Sequence, residues 1–184
     1  MKYLKKYKLF LEEDEFDVNI TDDTDLKMSK ENLENTRKQL TEFKTKKPLI
    51  DNAYLKINID SDLQSKIEEI VGKESENRNP FLVEYLHVAD LNRKINKLQK
   101  ELVDDKISKD DFTQQIGLSP EQSTKDALNQ KITDITNRIS TKNANISSLM
   151  KEVNDSSNEL KLKMSKIEKD MQGYIKKISS EDVK

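Results

Sequence analysis

From Leu128 to Ile178 apolar residues return every three or four positions in an otherwise polar background, the spacing of one stripe on a long helix. Ile132, Ile139, Ile146, Val153 and Leu160 take one heptad seat, while Leu128, Ile135, Lys142, Leu149 and Ser156 take the other, so the repeat is strict but holds two polar seats. Beyond Leu160 the rhythm continues as Met164, Ile167, Met171, Tyr174 and Ile178 after two successive steps of four, a stutter that locally unwinds a left-handed supercoil. It falls beside the polar run Asn154, Asp155, Ser156, Ser157, Asn158, where the seam is weakest. Ser119 as N-cap, Pro120 at the first helical position and Glu121-Gln122 behind it mark where this helix starts.

Upstream the pattern breaks into shorter pieces. Leu26, Leu33, Leu40 and Phe43 share one stripe of a helix from about Leu26 to Lys47, which Pro48 ends. Ala53–Ile59 alternates apolar and polar residues and predicts an extended piece, a short strand at most. Asp60 or Ser61 then caps a short helix carrying Leu63, Ile67, Ile70 and Val71, with Gly72 as its stop and Lys73–Asn79 as a linker. Pro80 opens a helix whose Phe81, Val88, Leu91, Ile95, Leu98 and Leu102 form a second heptad-like stripe, ending near Asp104–Lys106. Ser108 and Asp111 predict a capped turn holding Phe112 and Ile116, closed by Gly117.

These pieces divide the chain into residues 1–25, 26–79, 80–118 and 119–184. The fold class is all-α: an elongated helical hairpin or coiled coil with a long C-terminal helix and an extended N-terminal anchor peptide. The short connection after Val103 folds Pro80–Val103 back antiparallel on the first part of the long helix. The distal half then needs another chain, another segment or solvent, which makes Leu160, Met164, Ile167, Met171, Tyr174 and Ile178 candidate partner-binding residues. Branched residues at one seat with mixed Leu/Ile at the other suit a dimer or trimer, and Lys142 in the seam restricts register.

Composition agrees with rods rather than a compact globule: 33% of residues are hydrophobic and 5% aromatic, against 37% charged, with no Trp. A helical seam needs only about two apolar residues in seven, which this chain has. The net charge of −2 is the remainder of 33 basic and 35 acidic side chains, mostly interspersed, so no general nucleic-acid affinity follows. Zero cysteines exclude disulfides, thiol nucleophiles and Cys-containing zinc sites. No stretch approaches the ~20 apolar residues of a bilayer span, and the Leu9-Phe10-Leu11 cluster is too short for a secretory signal.

The opening residues form a second unusual region. Tyr3, Leu4, Tyr7, Phe10 and Leu11 share one helical face, ringed by Lys2, Lys5, Lys6 and Lys8, and eight acids with no base follow between Glu12 and Asp25. This is a sticky amphipathic peptide on an acidic tether, and those five apolar residues are candidate partner-binding residues. Its aromatic face packs on this chain's own helices or a sister copy, or docks into a groove on a different protein. Membrane-surface binding is opposed by the acids, which repel anionic lipid.

The opening Met1-Lys2-Tyr3-Leu4-Lys5-Lys6-Tyr7-Lys8-Leu9-Phe10-Leu11-Glu12-Glu13 resembles the "MK-x-x-K-x-(Y/F)-x-x-F-x-E" starts of structural and unassigned proteins of large tailed bacteriophages. The resemblance covers about 13 residues and carries over no residue roles. It implies a virion or virion-assembly component, with the N-terminus as docking or packaging peptide, and the Lys/Asn/Ile/Asp-rich composition fits an AT-rich genome.

Candidate chemistry is sparse. His87 is the sole histidine and lacks the converging groups of a catalytic or zinc site, so at most a Glu–His contact is expected there. Asp22-Asp23-Thr24-Asp25, Asp60-Ser61-Asp62 and Asp110-Asp111 match no complete calcium loop and read as tether or capping acids. Lys44-Thr45-Lys46-Lys47 reads as basic residues opposing a helix dipole at its C-terminus. No catalytic, cofactor or metal residues are assigned. The expectation is a non-enzymatic structural protein of a phage virion whose partners are other virion proteins or copies of itself, with neither nucleic acid nor membrane. The alternative is a bacterial cytoplasmic adaptor or chaperone-like helical protein that binds a transient client.

Overall fold

The computed structural model describes residues 24–181. Among these the chain forms four α-helices and no strand: α1 (Thr24–Lys56), α2 (Asp60–Val71), α3 (Pro80–Leu118) and α4 (Gln122–Glu181), with a single 3-10 turn at Ser75–Asn77. The all-α expectation, with its long C-terminal helix, holds. At 1.5 Å per residue the 60 residues of α4 run about 90 Å and form the spine of the molecule.

Every heptad seat read on α4 faces a neighbour. Leu128, Ile135, Ile146, Leu160, Met171 and Ile178 are buried and the remaining seats half-buried. The partner over the proximal half is α3, running antiparallel: Phe112 meets Lys131, Asp105 meets Lys142, His87 meets Glu152 and Glu84 meets Lys163. The expected antiparallel hairpin over the proximal half is thus present, and its first helix runs on to Leu118.

The stutter marks a change of partner. Carried on unbroken, the second seat after Ser156 would place Lys163, Asp170 and Lys177 in the seam. Slipping by one residue brings Met164, Met171 and Ile178 inward instead, while Leu160, Ile167 and Tyr174 keep the first seat. The apolar face thereby turns from α3 toward α1, which packs antiparallel on it through Leu33 and Leu40 against Ile167, Met171, Tyr174, Ile175 and Ile178. The other segment that the distal half needs is thus α1 of the same chain.

Around Leu160 all four helices meet. Phe43, Ile50 and Ala53 of α1, Leu63, Ile67 and Val71 of α2, and Phe81 and Leu82 of α3 close one core, in which Ile50 and Leu82 are fully buried. Phe43 packs edge-on against both Phe81 and Tyr85, with ring centroids 6.2 and 5.7 Å apart. Beyond Arg93, whose guanidinium still reaches the Asn58 carbonyl at 2.9 Å, α3 packs on α4 alone among the described residues. Its last 25 residues and their antiparallel mate project as an arm of about 37 Å.

Several boundaries differ from expectation. Pro48 lies inside α1, because Ile50 and Ala53 beyond it are buried in the four-helix junction and hold the chain helical despite the missing N–H. Ala53–Lys56 is therefore helical, and only 57–59 leave the helix. α3 continues through Asp104–Lys106 to Leu118, and Ser108 donates its hydroxyl to the Asp104 carbonyl at 2.9 Å instead of capping a new turn. Ser119 terminates α3, its Oγ bonding the Gln115 carbonyl at 2.8 Å, and α4 starts at Gln122. Gly72 does stop α2: its φ of 94° suits glycine, and its N–H reaches Glu68 O. Residue 59 precedes α2 with no side-chain cap, so neither Asp60 nor Ser61 serves as the N-cap.

Candidate interaction surfaces

The arm's seam contains one polar layer. Asp105, buried in the seat that its heptad reserves for an apolar residue, takes the Lys142 ammonium at 2.7 Å on Oδ2 and the Arg138 guanidinium at 2.9 Å on Oδ1. Lys142 also reaches Glu101 at 3.3 Å. The Lys142 bond, seconded by Arg138, holds the Asp105 carboxyl below the usual carboxylate range against the opposing effect of burial. The same bond raises Lys142. Asp105 and Lys142, the polar seats of the two facing helices, thus fall in one layer, and a slip of one heptad would set Asp105 against Ile135 or Leu149, so the layer fixes register.

A second polar tie joins the junction. Asn79 is buried, caps α3 by accepting the Phe81 N–H at 3.0 Å, and donates to the Gln39 carbonyl of α1 at 2.6 Å. Tyr85 donates to Asp51, and burial first, then that bond, raises its phenol. The lysine run is consumed by the fold rather than standing at a helix end: Lys46 pairs with Glu42 at 2.6 Å, and Lys47 pairs with Asp51 at 2.8 Å and lies over the Tyr85 ring.

The candidate residues of the distal stripe come together on one face. Leu160, Met171 and Ile178 are buried, and Met164, Ile167 and Tyr174 are half-buried, with α1 and the junction covering them. As an open partner surface this stripe is corrected: its centre is taken inside the chain, and only its edges face outward. The candidates Tyr3, Leu4, Tyr7, Phe10 and Leu11 lie outside the described residues.

His87 is half-exposed, with Nε2 3.3 Å from Glu152 Oε1 across the hairpin; Glu84, its neighbour on α3, pairs with Lys163 instead. An open cleft beside His87, lined by Tyr54, Leu63, Leu86 and Asp90, has both its arginines engaged: Arg93 with Asp60 at 2.8 Å and Arg78 with the Gly72 carbonyl. Among the described residues, no three His, Asp or Glu side chains gather as metal ligands, and no helix is long and apolar enough to cross a membrane.

The arm adds a surface that the sequence reading passed over. Val103, Ile107 and Leu118 are 54%, 55% and 84% exposed and lie on the outer face of α3, away from its seam seats. Extending the heptad of Leu98 and Leu102 through Phe112 and Ile116 would have exposed this outward face. Comparison with protein families, characterised proteins and solved structures returned no match.

Proposed function

We propose that this chain is a non-enzymatic structural component of a tailed-phage virion, a helical spacer whose projecting arm contacts a neighbouring protein. The observation that carries this reading is the 60-residue spine shared end to end by two partner helices, which turns a chain poor in core residues into a rod of about 90 Å. A polar layer that pins register suits a part whose length must be fixed. The outward Val103, Ile107 and Leu118 supply the contact, and the resemblance of the opening residues to phage structural proteins supplies the setting.

The same exposed apolar residues favour the second reading, a cytoplasmic adaptor or chaperone-like protein that grips a client with its arm. The test is mass spectrometry of purified particles, comparing the natural chain with Val103→Ser/Ile107→Ser/Leu118→Ser. Fixed copy number for the natural chain, with loss of the folded variant from particles, supports the virion reading. Absence from particles, with reversible capture of unfolded clients, supports the adaptor.

A further inference from the structure

The distal section of the rod differs from the junction in one respect. Where α1 passes Leu33 and Leu40 along Ile167 to Ile178, the described residues provide two helices only, yet α4 offers a face broader than a two-helix seam needs. Met171 and Ile178 fill the seam, while Tyr174 and Ile175 flank it on both sides and stay half-buried. Polar surroundings there carry a basic excess: residues 27–44 and 164–178 together hold nine Lys and Arg against five Asp and Glu.

We propose that residues 1–23 of the same chain cover this section, with Tyr3, Tyr7 and Phe10 over Tyr174 and Ile175 and the acids of 12–23 along the lysines. Charge complementarity selects this occupant: residues 1–23, with seven acids against four lysines, carry a net charge of −3 that opposes the basic excess of four in the two flanking stretches. Connectivity allows it. α1 begins at Thr24 beside the end of α4, and the ten residues 14–23 span up to about 33 Å. The face from Ile178 back to Met164 measures about 21 Å, within that reach. This inference stands apart from the virion reading, since it concerns the isolated chain.

The chain has no Trp and no Cys, so single reporters can be placed without background. Tyr7→Trp is combined with a nitroxide at Gln172→Cys, an exposed position beside Tyr174, or at Gln114→Cys near the arm's tip. Emission is expected to be quenched severalfold by the label at position 172 and not by that at 114, independently of protein concentration. Raising salt to about 0.5 M, where the Debye length falls to a few ångströms, or introducing Lys166→Glu/Lys169→Glu/Lys176→Glu, should relieve most of the quenching with helicity unchanged. Equal or absent quenching at both positions overturns the proposal. So does quenching that appears when Trp and label sit on different chains or grows with concentration, which would assign the face to a second copy.

Discussion

Leu82→Ala tests the four-helix junction. The side chain is fully buried where α1, α2, α3 and α4 meet, so truncation removes three carbons from a site that water does not reach. Transfer alone costs about 2.4 kcal/mol, at roughly 0.8 per buried methylene. An unrelaxed cavity of about 50 Å³ adds about 1.2 kcal/mol at ~24 cal/mol per Å³. The sum of about 3.6 kcal/mol lowers the melting temperature by about 7–14 °C for a chain of this size, at ~2–4 °C per kcal/mol. Thermal and urea melts followed by circular dichroism measure it, with Leu118→Ala as control because that side chain is 84% exposed. The control should change stability by less than about 0.5 kcal/mol. A shift below about 3 °C for Leu82→Ala, with native helicity retained, would refute the placement of Leu82 at a shared core.

Three further outcomes follow from the polar and backbone features. Asp105 has a lowered folded pKa, so its contribution is full above the unfolded value near ~3.9 and disappears as pH falls through the depressed folded value. Melts between pH 2 and 7 should therefore show Asp105→Asn less stable than the natural chain at neutral pH, with the difference closing below about pH 4. Asn79→Ala loses the α3 cap and the tie to Gln39, a cost of about 1–3 kcal/mol in urea melts. Pro48→Ala restores an N–H inside an exposed helical turn and should raise stability by up to about 3 kcal/mol; a loss would mean that α1 needs the proline.

The seats of α4 were legible because a heptad repeat is a local signal: which residues face inward follows from spacing alone, down to the polar Lys142 and Ser156. The continuation of α3 was equally present in the spacing. Phe112 lies two heptads after Leu98 and Ile116 two after Leu102, but the cap-like Ser108 and Asp111 suggested a break that their helical surroundings override. Pro48 misled for a different reason. A proline's local cost can be met by burial of Ile50 and Ala53 against segments far away in sequence, which no local window contains. The same holds for the covering of Met171 and Ile178 by Leu33, a pairing across more than a hundred residues, and for the choice of Asp105 as the partner of Lys142.

The central claim is that one chain builds a continuous helical spine with α3 over one half and α1 over the other. Small-angle X-ray scattering over a dilution series tests it directly. A rod of about 90 Å has a radius of gyration near 26 Å, whereas a compact globule of this length has one near 16 Å. The account predicts a radius of about 26 Å or more at a forward-scattering mass of 21.4 kDa, unchanged on dilution. A value near 16 Å, or a mass of two or more chains that falls on dilution together with helicity, would contradict it.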